Sequence, residues 1–391
     1  MGRTRRARVA VTAAAMVLCA GALGACGDDD DGATTSAATT TAGSPAVSDV
    51  QRRSADAGTK AGEDAGEPQQ APADKKVGFL QIVQGIESAD RVALQIEKAS
   101  KALGWDYVLC DAAGDPAKMA ACGTSLLSQD VDVIFTTIGD ASTIASAMRT
   151  ARKRDIPVID VSGEAQGFDA NYAPDDKTIG DLLADDLAKR LDPLKDEKVK
   201  IAVSAFPQPF AQKRTASLES LVADNDHLEI AATASVDPTN VIEGSKKSAT
   251  DQLTQNPDLK AFWIDFDTAG QAIGQLVRSR YAGKEFPDRP LVATFHADHG
   301  TVKLMRSGAI DVVADVAYDA SSWVGVDQLL QHWTRDAPLS QERAPEYPGA
   351  GDLYTYQIID GDNLPADGEY ATPEIDAEAY FMAKWKAEFG L

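Results

Sequence analysis

The chain is short of positive charge. Its 391 residues carry 38 Lys and Arg against 60 Asp and Glu, a formal charge of −22. A nucleic-acid partner is therefore not expected, because displacing counterions from phosphates needs a basic surface. Cysteine is scarce, at four residues, which excludes a disulfide-rich scaffold. Histidine is equally scarce: His227, His296, His299 and His332. None lies in an H-E-x-x-H helix, so the zincin reading fails. His296 and His299 stand three apart in His-Ala-Asp-His, at the end of a strand, where histidine is ordinarily just a polar turn residue. The chain lacks G-x-S-x-G, G-x-x-x-x-G-K-[ST], and a G-x-G-x-x-G after its first strand. The first absence removes the nucleophile elbow and the other two leave nucleotide-phosphate cradling without support. Carboxylates are plentiful but show no paired-acid motif. No catalytic residue, metal or cofactor is expected.

What remains is ample for a globular body. Apolar residues make up 44%, and the length suits two or three domains. The first stretch reads separately. Arg3, Arg5, Arg6 and Arg8 precede an apolar run over residues 9–20, about a dozen residues and too short to span a bilayer comfortably. Basic, apolar and then small residues make a secretory signal over residues 1–25. The following Leu23-Gly24-Ala25-Cys26 resembles a bacterial lipobox, which implies a lipid on Cys26 and a place on the extracytoplasmic face of the cell membrane. Losing residues 1–25 takes four arginines and no acid, moving the formal charge from −22 to −26. Residues 26–74 begin with Asp28 to Asp31 and continue in Ala, Thr, Ser, Gly, Pro and Gln. They have no apolar periodicity, and the expectation is a disordered, lipid-anchored tether.

From Val77 the pattern alternates between short apolar runs and amphipathic segments. Strands are expected at 77–83, 105–110, 131–137 and 156–161, with helices between them. Asp115-Pro116 is an N-cap followed by a first-turn proline. After a break at 171–174, further strands fall at 200–205, 228–234, 261–265, 291–296, 312–316 and 354–359. Ten strands make two sheets of about five. The fold class is α/β, with two doubly wound parallel-sheet lobes. Ligands of such sheets bind beyond the carboxyl ends of the strands. Gln84, Asp140, Ser162, Phe206, Phe266, Asp267 and His296 follow strands and are candidates on that ground. Cys110 ends a strand, and Cys122 lies on the next helix, on the face shared with Met119 and Leu126. A disulfide is favoured in an exported protein, the alternative being two buried free thiols.

The globular part, Lys75 to Ile359, resembles the type I periplasmic sugar-binding proteins, the ribose-binding family. The likeness is carried by Val108-Leu109-Cys110-Asp111 with Gly114-Asp115-Pro116-Ala117-Lys118. It is carried also by Val131-Asp132-Val133-Ile134 with Gly139-Asp140-Ala141-Ser142, by Asp155-Ile156-Pro157-Val158-Ile159-Asp160, and by Asn256-Pro257-Asp258-Leu259-Lys260-Ala261-Phe262. The resemblance implies a monomeric solute receptor for an ABC importer, whose two lobes close on a small molecule, expected to be a sugar, and dock on ABC permease subunits. It implies crossings near Pro174, Asp315-Val316 and Leu353-Tyr354. The N-terminal lobe would then hold 75–173 plus about 317–353, and the C-terminal lobe 174–316 plus about 354–391.

Arg214 matches the family's arginine after the first strand of the second lobe, implying a fork of donors to the ligand. Elsewhere the sequence departs from that pattern. Gly85-Ile86-Glu87-Ser88 stands where the family has paired aromatics, Ser162-Gly163 where it has Asp-Arg, and Phe266 where it has Asn. His296 replaces an Asp, and Val316, beside Asp315, a Gln. Glu87, Asp90, Asp140, Asp265, Asp267 and Asp315 gather near the expected cleft, and such acids would suit a cationic ligand. Phe206, Phe210 and Phe266 are candidate stacking faces, while Trp263 reads as core. The expected function is capture of a sugar or sugar-like molecule. The alternatives are an amine receptor, a sensor signalling to a membrane partner and, last, a surface hydrolase.

Overall fold

The computed structural model describes residues 48–137, 141–161, 167–339, 347–351 and 353–391. In chain order the elements are α1 (Asp49–Asp64), β1 (Lys76–Gln81), α2 (Glu87–Ala102), β2 (Asp106–Asp111), α3 (Pro116–Ser128), β3 (Val133–Thr137), α4 (Ala145–Lys153), β4 (Val158–Val161) and β5 (Ala170–Tyr172). There follow α5 (Asp176–Leu191), β6 (Val199–Ala205), α6 (Pro209–Ala223), β7 (Leu228–Ser235), α7 (Val241–Gln255), β8 (Leu259–Ile264), α8 (Asp267–Arg280), β9 (Leu291–Phe295), α9 (His299–Arg306), β10 (Val312–Val316), α10 (Asp319–Arg335), β11 (Tyr356–Ile359) and α11 (Ala377–Phe389).

Two sheets result. The first is ordered β2-β1-β3-β4-β5 and is parallel throughout. The second is ordered β11-β10-β9-β8-β6-β7 and is parallel except for β11, which runs against β10. Helices cover both faces, so the central strands are apolar on both sides: Val133, Ile134 and Phe135 are all buried, as are Phe262, Trp263 and Ile264. The eleventh strand, absent from the sequence reading, is β5. Two of its three residues, Asn171 and Tyr172, lie in the stretch read as a break, and its register is set by β4, with Asp160 opposite Asn171. Local detail follows the caps: Asp115 Oδ1 accepts from the amides of Ala117 (2.7 Å) and Lys118 (3.3 Å) to open α3. Cys110 and Cys122 are joined in a disulfide with their Cα atoms 5.5 Å apart, tying β2 to α3.

The expected tether needs correction. Residues 49–64 are helical and packed on the body. Ser48 and Gln51 form a reciprocal capping box at the start of α1. Ser54, Gly58, Ala61 and Gly62 are the buried residues of this helix. A Cβ on Gly58 would run into the carbonyl oxygen of Tyr380, and one on Gly62 into that of Lys384, so α1 meets α11 backbone to backbone. The Ser54 hydroxyl accepts from the amide of Asp376 (2.9 Å) just before α11. A helix held by small residues carries no apolar stripe, which is why composition reads it as linker.

The tail also differs from its expected place in the second lobe. From β11 the chain returns to the first lobe, where α11 packs on α10. Lys384 Nζ reaches Asp327 Oδ1 and Glu388 Oε2, each at 2.7 Å, and Trp385 Nε1 donates to Asp327 (2.8 Å). Trp323, Phe381 and Trp385 form the apolar half of this contact. The lobes are thus joined at residues 173–175, 317–318 and 353–355, and a fourth time by the return segment 360–376.

Candidate functional site

The carboxyl ends of both sheets face one another across a seam in which the lobes touch. Glu87, in the first turn of α2, crosses it. Its Oε1 accepts from the amide of His299 (2.9 Å) and its Oε2 from that of Gly300 (3.2 Å), while His299 Nδ1 lies 2.9 Å from Oε1. These are the free amides at the start of α9, whose own N-cap, Asp298, makes no side-chain cap bond. A carboxylate of one lobe therefore caps a helix of the other, where the helix N-terminus favours negative charge. Further in, the Arg91 guanidinium binds Asp319 through Nε (2.9 Å) and its NH2 nitrogen (2.7 Å), and reaches Asp298 Oδ1 and the Tyr318 hydroxyl at 3.3 Å each. Tyr318 donates to Asp298 Oδ1 (2.8 Å).

Behind these contacts lies a cavity of about 40 Å³, lined by Ser88, Ala89, Val92 and Thr137 from the first lobe and by Phe210, Arg214, Phe266, Asp267 and His296 from the second. Pro174 and Tyr318 complete it from two of the connections. Ligand pockets run to roughly 300–1,000 Å³, so these lobes are drawn close together.

The second lobe supplies an aromatic shelf. Phe206 stacks on Phe266, with centroids 4.3 Å apart and planes 21° apart, and meets Phe210 at 6.0 Å. Arg214 is buried behind it. Its Nε donates to Asp176 Oδ1 (2.9 Å), its NH1 nitrogen to the Asp265 carbonyl (3.1 Å), and its NH2 nitrogen meets His296 Nε2 (3.0 Å). Most of its donors are engaged by the protein itself. His296 adopts a left-handed backbone, φ 62°, which is uncommon outside glycine and marks a constrained position. Burial, reinforced by the charges of Arg214 and Arg91, pushes its imidazole well below the usual range.

The acids separate by environment. Asp267 is fully buried and bonded to Thr268, Ser88 and Asp298; burial raises its pKa. Asp298 is raised well above the carboxylate range by burial and by Asp267, against the pull of Arg91 and Tyr318. Asp265 is pushed up to about 7 by burial and lies beneath the shelf, accepting from the Phe206 amide (2.8 Å) and the Thr215 hydroxyl (2.9 Å). Asp315 accepts from the Ala297 amide (2.9 Å) and faces a separate hollow that it shares with Arg91, Asp319 and Tyr370.

Of the sequence candidates, Phe210, Arg214, Phe266, Asp267 and His296 meet at the cavity. Glu87 closes the seam above it. Asp265 and Asp315 support the walls without lining them. Gln84 is exposed, and its amide donates to Asp111 Oδ1 (3.2 Å), so it does not reach the cavity. Asp140 and Ser162 lie outside the described residues, as does Cys26. Trp263 is wholly buried in the core. Sequence reading missed Ser88, Thr137, Arg91, Asp298 and Tyr318. The arginine and Asp298 are 207 residues apart, and no local spacing announces such a pair. Tyr318 had a usable signal: it stands two residues after a strand, at one of the implied crossings.

A two-lobed α/β body with convergent polar groups at the seam defines a class, the closing ligand receptors. Residues 77–336, well over half of the chain, match the periplasmic binding protein domain, and the chain belongs to that family. Solved structures agree on the fold. A solute-binding protein of an ABC transporter from Mycobacterium smegmatis, with bound glycerol, is 17% identical over 77% of this chain and 99% of its own, with a TM-score of 0.65. A Burkholderia graminis solute-binding protein in complex with D-arabinose is 16% identical over 77% and 99%, TM-score 0.63. A periplasmic ribose ABC transporter protein from Conexibacter woesei is 16% identical over 76% and 95%, TM-score 0.62. No curated protein matches the chain.

Proposed function

We propose that the protein is a non-catalytic, extracytoplasmic solute-binding lipoprotein that captures a sugar or sugar-like small molecule and delivers it to an ABC permease. The observation that carries the reading is the cavity at the seam, in which an aromatic shelf, Asp267, Arg214 and His296 of one lobe face Ser88 and Thr137 of the other. An apolar ring face with a few placed polar groups suits a ring bearing hydroxyls. Fold neighbours with bound D-arabinose and glycerol support the same ligand class. Ligand selects the closed form because only that form contacts it from both lobes. A cavity of about 40 Å³ implies that the lobes part to admit it. A lipid on Cys26 would hold the receptor beside its permease.

The test is a thermal-shift screen of residues 47–391, which form one compact unit, against sugars, polyols, amines and nucleosides. A sugar or polyol raises the melting temperature with concentration, by mass action. A shift with amines or nucleosides alone overturns the reading.

A further inference from the structure

The pairing of Arg214 with His296 fixes the chemistry of the imidazole. A guanidinium has five N–H donors and no acceptor, and it keeps its charge. Its approach to Nε2 at 3.0 Å therefore requires the lone pair on Nε2, which leaves the proton on Nδ1. An imidazolium would set N–H against N–H. Nδ1 is buried and has no hydrogen-bond partner among the described residues. The same ring lines the cavity and meets Tyr318 edge to face at 5.1 Å. Buried donors are almost always satisfied, so one left over on a cavity wall points to a partner from outside the chain. On the reading that this cavity is the ligand site, the structure assigns to His296 the part of a fixed hydrogen-bond donor that reads an acceptor oxygen on a neutral, hydroxyl-bearing ligand.

The surroundings narrow the ligand further. An ammonium has no lone pair to offer Nδ1–H. An ionised carboxylate could accept from Nδ1–H but is acceptor-only, with no proton to offer Asp267. A hydroxyl both accepts and donates, and so answers His296 and Asp267 together. The family pattern has Asp at this position, an acceptor when ionised; His296, with its tautomer set by Arg214, reverses the polarity of that contact. Arg214 is then a positioning residue, acting through the imidazole.

Two measurements test this on the folded protein. In the ¹⁵N-histidine-labelled chain, with the signal assigned by its loss in His296→Asn, long-range ¹H–¹⁵N spectra report the tautomer without any ligand. The expected result is a proton on Nδ1 and a bare Nε2; the opposite tautomer, or an imidazolium at pH 7, overturns the inference. Calorimetry then compares glycerol, D-arabinose and D-allose with putrescine on the protein and on two variants that tolerate the left-handed backbone. His296→Asn keeps a donor and His296→Asp does not. A neutral polyol should bind, with affinity about tenfold or more weaker in the Asp variant than in the Asn variant. Equal affinity in the two variants overturns the role of His296 and leaves sugar capture standing. Binding of putrescine with none of the polyols overturns both.

Discussion

Arg214 and Asp176 are buried together, with the guanidinium 2.7 Å from Asp176 Oδ1. Removing one member of such a pair strands the other. Arg214→Ala should therefore lower stability by about 3–5 kcal/mol, and Arg214→Ala with Asp176→Asn should lower it less. Denaturant unfolding of the two variants checks this, and equal losses would refute it. Asp265 adds a pH dependence. Its pKa in the folded chain is about 7, against about 3.9 unfolded. Between those values the unfolded chain has released a proton that the folded chain retains, so this group's contribution falls as pH rises and levels off above about 7. Relative to Asp265→Asn, the wild-type protein should lose stability steadily from pH 5 to pH 7. Parallel curves over that range would contradict the assignment. Neither expectation was available from sequence, which placed Arg214 and Asp265 in the right quarter of the fold but said nothing of burial.

At the scale of elements, the return segment from β11 to α11 sets Tyr370 against both lobes. Its ring stacks on His299 at 4.2 Å and lies 3.6 Å from the Arg91 guanidinium, and its hydroxyl donates to Glu87 Oε1 (3.3 Å). These contacts reach Arg91 and Glu87 of one lobe and His299 of the other, so parting the lobes would break some of them. Tyr370→Ala should lower the closed population and weaken ligand binding by roughly threefold to tenfold. The ligand-free variant should give a larger radius of gyration by solution scattering, with little change in melting temperature. An unchanged radius would remove Tyr370 from the closing contacts. The βα alternation was legible because buried parallel strands and amphipathic helices carry distinct periods, and Asp115-Pro116 marked its helix to the residue. The helix α1 was not, since its buried face is Ser54, Gly58, Ala61 and Gly62, and backbone approach leaves no hydrophobic signature. Gly58→Leu should expel it, and trypsin should then cut faster at Arg52, Arg53 and Lys60.

For the whole molecule, the boundaries of the folded body move. A chain begun at residue 75 removes α1 and leaves the backbone face of α11 at Tyr380 and Lys384 uncovered. It should melt several degrees below a chain begun at residue 47, on the order of the shift that a loss of 1–2 kcal/mol gives a large domain. Equal melting temperatures would reduce α1 to an ornament. Two lobes and a cleft could be inferred from strand count and family likeness, but the fourth connection could not, because nothing local in residues 360–376 says which lobe they return to.

With a lipid anchor on Cys26, as proposed, the docking of α1 would also decide which part of the receptor stands still. The chain enters the folded body through α1, α1 grips α11, and α11 is bolted to the first lobe through Asp327. If Cys26 holds the protein to the membrane, that lobe is the stator. On the proposed function, the second lobe, with Arg214, His296 and the phenylalanine shelf, would then be the rotor, bringing the residues proposed to read the ligand towards the first lobe.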